Sequence, residues 1–521
     1  MQLSKPFKSS VHSLPSPDGR HVATIFTSVV NVRAVCGLQV VNVIELGQDF
    51  AGPVLSFQWS PSSRLLLIAD AERVRVVSAL DSSFDATIRN HADAGTKPAY
   101  VGFGAADTEI CIISSLGIKF SVFDLASSKA IEIGGPKLFS ASSASRCFSF
   151  RPGTRHLALL TRVAGKDMVS IHSYPTRELQ RSWASDTVDA QGLAWSPDGR
   201  WLVVWDSAAQ GHKVVFYTSD GHIFKTWSGP ANPPPEDRDF ALGPGVKSIQ
   251  FSADARHLAI GDFSRSVCVL SMASVTQTMR LRHPKTLVPR ETLQVWQEQI
   301  GVSQAGPIIH TFLRASQLIS PAPAQRDHSE PASGCAAILF DTSSALVATR
   351  IDDFPSTVWI WDVQAAELRA VLLFHGNVAS LSWHPHIAET LFVRCEGAQY
   401  NGLAFVWDPL SEGPGTVDFG QRLPGARVSG KPRTLWLGLA APSPPSLFFS
   451  DAQNYVLACL GGTDQAPAPW GDPEILGPAF SAGEREESPL ELVPASGTRP
   501  EVPELDEDDY SELEDTFVHK R

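Results

Sequence analysis

The side chains whose type and spacing most suggest chemistry are histidines and paired carboxylates. His283-Pro284, His375-Gly376 and His384-Pro385-His386 look like metal ligands. A zinc site, however, needs about four nitrogen, sulfur or oxygen ligands converging on one point. No acidic or thiol partner lies at ligand spacing from any of them, so no metal is expected. Asp352-Asp353 suggests a general acid–base pair, yet it sits in Arg350-Ile-Asp-Asp-Phe-Pro355, which reads as a hairpin between two strands. Two readings stay open for it: a solvated turn that keeps a sheet edge polar, or, with Arg350, a contact for a partner. The chain carries no Gly-rich phosphate loop, no Gly-x-Ser-x-Gly elbow and no His-Glu-x-x-His helix. No catalytic residue and no cofactor are expected, and the chain does not read as an enzyme.

The elements that would position any site reveal themselves by repetition. One phrase recurs: an aromatic residue, Ser-Pro or a variant, a turn, then a short apolar run. It reads Pro15-Ser-Pro-Asp-Gly-Arg20, Trp59-Ser-Pro-Ser-Ser-Arg64, Phe150-Arg-Pro-Gly-Thr-Arg155 and Trp195-Ser-Pro-Asp198-Gly199-Arg200. It returns as Phe251-Ser-Ala-Asp-Ala-Arg256, Phe340-Asp-Thr-Ser-Ser344 and Trp383-His-Pro-His386, and Phe103-Gly-Ala-Ala-Asp107 fills the widest early gap. Position 15 to position 59 is a step of 44, and 150 to 195 is a step of 45. A period of about 44 residues with strand-like content marks a β-propeller of four-stranded blades. The expected fold is therefore all-β.

Within each unit the first strand reads apolar-x-x-apolar-x-aromatic, as in Val54-Leu-Ser-Phe-Gln-Trp59. The second is continuously apolar, as in Leu157-Ala-Leu-Leu160, and the third alternates, as in Val74-Arg-Val-Val77. This is the gradient of strands buried on both faces giving way to half-exposed ones. Two third strands end in Trp361-Asp362 and Trp407-Asp408, the dipeptide that names WD repeats, both in register. Trp205-Asp206 falls at the end of a second strand and is a decoy.

Two long steps locate insertions. Residues 228–245, with Pro233-Pro-Pro235, explain a step of 56 to Phe251, and residues 283–334 explain a step of 89 to Phe340. The second insertion reads either as a decayed blade or as an elaborated loop. A last, faint unit runs through Thr434-Leu-Trp436 to Tyr455-Val-Leu-Ala-Cys459, and the segment before Pro15 is the natural strand to close the ring on it. Eight or nine blades, or two unequal propellers, fit residues 1–462.

Hydrophobic residues make up 43% of 521, enough for a large core. The N-terminus has no apolar stretch of the kind a secretory signal needs, and the longest apolar runs are far short of the ~20 residues that span a bilayer. The chain reads as soluble and intracellular, with no membrane partner. Its seven cysteines are scattered, without a Cys-x-x-Cys pair, and read as reduced core thiols. Net charge is −12, but residues 484–521 hold 13 acidic and 4 basic residues, a net of −9, leaving −3 for the rest. No basic stripe marks a nucleic-acid interface.

Residues 463–521 lose all periodicity and read as a disordered acidic tail. Within it Leu505, Tyr510, Leu513 and Phe517 alternate with dense acid. The tail reads either as a solubilising extension or as a docking peptide whose apolar residues, Tyr510, Leu513 and Phe517 among them, enter a groove. Ser511, followed by Glu512 and Glu514, suits an acid-directed kinase.

Several stretches are more particular. Trp201-Leu-Val-Val-Trp-Asp206, followed by Lys213-Val-Val-Phe-Tyr-Thr-Ser-Asp-Gly221, resembles the middle blade of a centrosomal and spindle-pole-body WD-repeat family. Leu346-Val-Ala-Thr-Arg-Ile-Asp-Asp-Phe-Pro-Ser-Thr-Val-Trp-Ile-Trp-Asp362 and Val246-Lys-Ser-Ile-Gln-Phe251, with Arg282-His-Pro284, resemble it too. The resemblance covers residues 1 to about 460 and leaves out the tail. As a fungal member of that family, the chain would be a scaffold in the cytoplasm and cytoskeleton, at the spindle pole body. The resemblance implies a coiled-coil anchoring protein, a minus-end-directed kinesin and γ-tubulin-associated components as partners, together tethering microtubule minus ends. A WD-repeat adaptor of a ubiquitin ligase or a chromatin complex is the alternative.

Overall fold

The computed structural model describes residues 1–47, 52–89, 96–230, 243–302, 308–324, 334–461 and 468–470. Its described strands form nine sheets. Taken as blades 1 to 9 they span Ser13–Glu45, Ser56–Arg89, Tyr100–Gly134, Phe148–Ala184, Ala190–Trp227, Val246–Arg282, Cys335–Leu373, Val378–Asp418 and Arg433–Cys459. Within each blade the strands follow chain order and pair antiparallel, as short turns between consecutive strands require. Shared apolar clusters join each blade to the next, and Phe7, Val22, Leu437 and Phe448 join blade 9 back to blade 1. The units make one ring of nine blades, not two propellers. Among the described residues, no helix is long and apolar enough to cross a membrane.

The burial gradient read from the sequence is present in the second strands. Leu65–Ala69 and Glu109–Ile113 are buried at every position, whereas the outermost Lys129–Gly134 has no buried residue. The third strands divide: Val29–Ala34 and Lys119–Asp124 alternate as read, whereas Thr357–Trp361 are all buried, because the large side chains of Trp359 and Trp361 fill the seam beside blade 6.

Blade 9 has three strands of its own and borrows the rest. Gln2–Leu3 and Phe7–Lys8 both pair antiparallel with Asn454–Cys459, as expected for the segment before Pro15. The Ser4 amide donates to the Leu457 carbonyl (2.9 Å), and Phe7 stacks on Tyr455 at 5.2 Å. Without this clasp the last strand would present an open row of backbone groups. Ala468–Trp470, inside the stretch read as tail, instead packs: Ala468 is buried and Trp470 lies against the Phe7 cluster.

The recurrent phrase has a physical basis. In blade 5 the Ser196 hydroxyl donates to Asp198 Oδ1 (2.5 Å) and accepts from the Trp201 amide, while Asp198 also accepts from the Arg200 amide. Gly199 closes that turn at φ +68°, in the left-handed region where glycine carries no steric penalty. Ser16 with Asp18 and Ser252 with Asp254 repeat the arrangement. The aromatic residue ahead of the turn packs toward the preceding blade. Trp59, Trp383 and Trp436 donate their indole N–H to the Leu14, Leu339 and Ser382 carbonyls at 3.1, 2.9 and 3.0 Å.

The insertion at 283–334 is an elaborated connection, not a blade. Gln294–Val302 and Ile308–Arg314 form a hairpin, and Gln294–Gln297 runs parallel to Ala370–Leu373, making the blade 7 sheet six-stranded. One face buries Trp296, Glu298, His310 and Phe312 between blades 7 and 8. Of the insertion at 228–245, residues 231–242 lie outside the described residues.

Candidate interaction surface

The inviting histidines turn out to be structural. His283 is buried edge-on between Trp359 and Trp361, 5.3 Å from each ring. Its Nδ1 faces the Arg265 carbonyl and its Nε2 the Thr349 hydroxyl, both at 2.8 Å, and Trp361 donates to the same hydroxyl at 2.9 Å. A neutral ring donating from Nδ1 satisfies all three groups, and burial holds its pKa down at about 4. His384 packs edge-on against Trp436 at 4.8 Å, and its Nδ1 accepts from the His386 and Ile387 amides. His375 leans on Glu298 of the inserted hairpin. Among the described residues no group of three or more potential ligands could hold a metal. Six of the seven thiols are buried, and burial pushes Cys147 and Cys335 up to about 12, while Cys36 is exposed.

The remaining repeat positions act on the fold. Asp362 caps its turn through the Ala365 amide (2.7 Å) and Asp408 through Leu410 (2.9 Å), while Trp407 is fully buried. Trp195 is 6% exposed, and among the described residues neither its indole N–H nor that of Trp407 finds an acceptor. Asp206, the decoy, is a buried carboxylate receiving the Val188 and Asp189 amides at 2.8 Å.

Asp352 and Asp353 project from blade 7 onto blade 6. Asp352 pairs with Lys247, and Asp353 with Arg265 at 2.7 Å. Arg350 donates to the Val378 carbonyl of blade 8 at 2.9 Å. Their turn is thus tied to both neighbouring blades. Tyr510, Ser511, Leu513 and Phe517 lie outside the described residues.

Sequence reasoning missed the buried charges. Arg177 of blade 4 grips Glu109 of blade 3 with two bonds of 2.6 Å, both side chains almost fully buried. Lys137 bridges Asp167 (2.9 Å) and Asp189 (2.8 Å). Glu298 collects His310 (2.6 Å), the His375 amide (2.7 Å) and Tyr400 (2.8 Å). The available signal was charge placed inside otherwise apolar strand patterns, as in Gln297-Glu298 beside Trp296, which an unpaired residue could not sustain.

Among the described residues, three clefts offer themselves for binding. One, of about 500 Å³, is built from the repeat phrase itself, with Trp59, Trp383, Trp436, Pro15, Pro17 and Pro385 as walls. A second, of about 450 Å³, is lined by Arg265, Lys285, Pro321, Pro323, Asp353 and Phe354. A third, of about 340 Å³, lies across the 284–290 segment, with Leu287, Val288, Arg290, Leu293, Glu367 and Leu368. Their apolar walls and sparse charge suit peptide side chains.

The WD repeat-containing protein WRAP73 of Mus musculus is 25% identical over 446 residues, covering 80% of this chain and 90% of that protein. The chain is similar to WD-repeat proteins. An uncharacterized WD repeat-containing protein of Schizosaccharomyces pombe is 21% identical over 359 residues, 67% of this chain and 68% of its own length. No family model matches. A solved eukaryotic initiation factor chain superposes with a TM-score of 0.49 at 10% identity, over 80% of this chain and 89% of its own, a likeness too low to argue from. With the nine sheets and the two in-register Trp-Asp dipeptides, the matches to the two WD-repeat proteins make the fold a WD-repeat β-propeller.

Proposed function

We propose that this protein is a non-enzymatic scaffold of the microtubule-organising centre. In this reading it holds a coiled-coil anchoring protein and a minus-end-directed kinesin at the spindle pole, with γ-tubulin-associated components close by. The observation that carries the reading is the resemblance of residues 201–221 and 346–362 to the centrosomal and spindle-pole-body WD-repeat family. It is supported by the match to WRAP73, which extends over 90% of that protein. A rigid ring with peptide-sized clefts between blades is suited to holding several partners at once. Assignment of Arg350, Asp352 and Asp353 as partner contacts belongs to the same proposal, as does docking through Tyr510, Leu513 and Phe517, tuned at Ser511.

The test is a fluorescent tag at the native locus, imaged through mitosis, with purification of bound proteins. Foci at the spindle poles and recovery of coiled-coil and γ-tubulin-associated proteins are expected. Diffuse or chromatin signal, with ubiquitin-ligase or histone-modifying subunits recovered, would replace this reading by the adaptor alternative.

A further inference from the structure

The connection from blade 6 into the insertion concentrates charge of one sign. Residues 263–290 contain Arg265, Arg280, Arg282, Lys285 and Arg290 and no carboxylate, in a chain whose net charge is −12. Arg265 is engaged by Asp353, and Arg280 reaches the Ser266 hydroxyl at 3.0 Å. Arg282, Lys285 and Arg290 are exposed, and none forms an ion pair with a described residue. Exposed cations without an ion-pair partner among the described residues add to a local positive field.

Lys285 and Arg290 border clefts with apolar walls, the first of which also has Asp353 in its lining, paired there with Arg265. Lys285 stands at the rim of the cleft floored by Phe354 and walled by Pro321 and Pro323. Arg290 stands at the rim of the cleft formed by Leu287, Val288 and Leu293, where Glu367 is the one lining acid. The strap that shapes them is fixed: Leu287 and Ile319 exchange both backbone hydrogen bonds at 2.7 and 3.0 Å, and the Ala324 amide donates to the Asp353 carbonyl at 2.8 Å. A preformed groove does not spend binding energy on ordering itself.

We propose that these two clefts form one docking groove for an acidic peptide of a partner protein, with carboxylates meeting Arg282, Lys285 and Arg290 and interspersed apolar side chains filling the clefts. Charge complementarity selects the acidic partner, while the apolar floors supply anchors that exposed ion pairs alone lack. The groove is argued from charge and shape, and stands or falls separately from the spindle-pole assignment.

The experiment measures fluorescence anisotropy of a labelled peptide of Glu and Asp interrupted by Leu and Phe, titrated with the full-length protein. Binding is expected to weaken as salt rises, to drop about tenfold or more in the Lys285→Glu/Arg290→Glu variant, and to vanish for a probe with Gln and Asn in place of its acids. The milder Lys285→Ala/Arg290→Ala variant should lose affinity in the same direction, and unchanged melting temperatures show that both are folded. Equal binding of the neutral probe, or wild-type affinity in both variants, overturns the proposal. A full-length variant with the acids of residues 504–515 changed to amides separates the occupants. If it binds the probe about tenfold more tightly than wild type, the chain's own tail fills the groove and the partner assignment fails.

Discussion

Five of the seams between blades are closed in one of two ways, and in these the repeat's aromatic residue separates them. Where it is Trp59, Trp383 or Trp436, a neutral indole N–H crosses to the carbonyl of the blade before. Where it is Phe150 or Phe340 no such donor exists, and charge closes the seam: Arg177 with Glu109 between blades 3 and 4, Lys247 and Arg265 with Asp352 and Asp353 between blades 6 and 7. A neutral bond contributes about 1 kcal/mol and its loss is mild. A buried ion pair is worth little net, but removing one member strands the other at a cost of several kcal/mol. The stitched seams should therefore tolerate substitution and the buried Arg177–Glu109 seam should be brittle, whereas the part-exposed pairs between blades 6 and 7 should lose less.

Blade 9 to blade 1 is a third case, since its anchor is Pro15 and the N-terminal strands carry the closure. Truncating residues 1–8 should have the largest effect, costing about 4 kcal/mol or more through lost Phe7 packing, with a bare edge besides. Urea denaturation and light scattering would register lower stability and new self-association; a truncated protein as stable as the full chain would show that the clasp is dispensable. Next comes Arg177→Ala, which should cost about 3–5 kcal/mol by stranding Glu109. Glu109→Leu combined with Arg177→Met should recover most of that. A single-variant loss below ~1 kcal/mol would remove the distinction between the seams.

The charged sector should also respond to pH through His283. Its folded pKa of about 4 lies below its ordinary 6.5. Between those values the unfolded chain binds the extra proton, so stability falls as pH drops from about 6.5 toward 4 and is recovered as pH rises. At 1.36 kcal/mol per pH step the span is about 3 kcal/mol. Urea midpoints at pH 7 and pH 4.5 should diverge less in His283→Gln than in wild type. An unchanged divergence would assign the pH response elsewhere.

The ring was legible because its information is periodic. Nine anchors recur, from Pro15 to Trp436, and Ser and Asp two residues apart cap the turns at Ser16, Ser196 and Ser252. The insertion at 283–334 resisted reading because Gln294-Val-Trp and Ile308-Ile-His are strand-like whether they make a blade or a hairpin. Only their parallel pairing with Ala370–Leu373, a contact across more than 70 residues, decides it. The Asp352-Asp353 turn was ambiguous for the same reason, since Lys247 and Arg265 lie about 90 residues away or more. Period reports the local unit, while partners distant in sequence leave no local trace.

Trp195 offers the finest test of the comparison. It occupies the stitching position, about as buried as Trp383 at 6% against 7%, yet its indole N–H has no acceptor, and the blade 4–5 seam relies on Lys137, Asp167 and Asp189 instead. Replacing either tryptophan by phenylalanine removes similar volume from similar surroundings, so the packing losses should nearly cancel. What differs is the bond. Trp383→Phe leaves the Leu339 carbonyl without its donor, whereas Trp195→Phe removes a buried N–H that nothing satisfied. Trp383→Phe should therefore be the more destabilising by about 1–2 kcal/mol, read from paired urea midpoints at constant m-value. Arg151, stacked on Trp195 at 5.3 Å, keeps an aromatic face in the variant and should add only tenths of a kcal/mol. Equal losses would mean that the indole contributes through its size alone, and that the stitched and charged seams differ in appearance but not in energy.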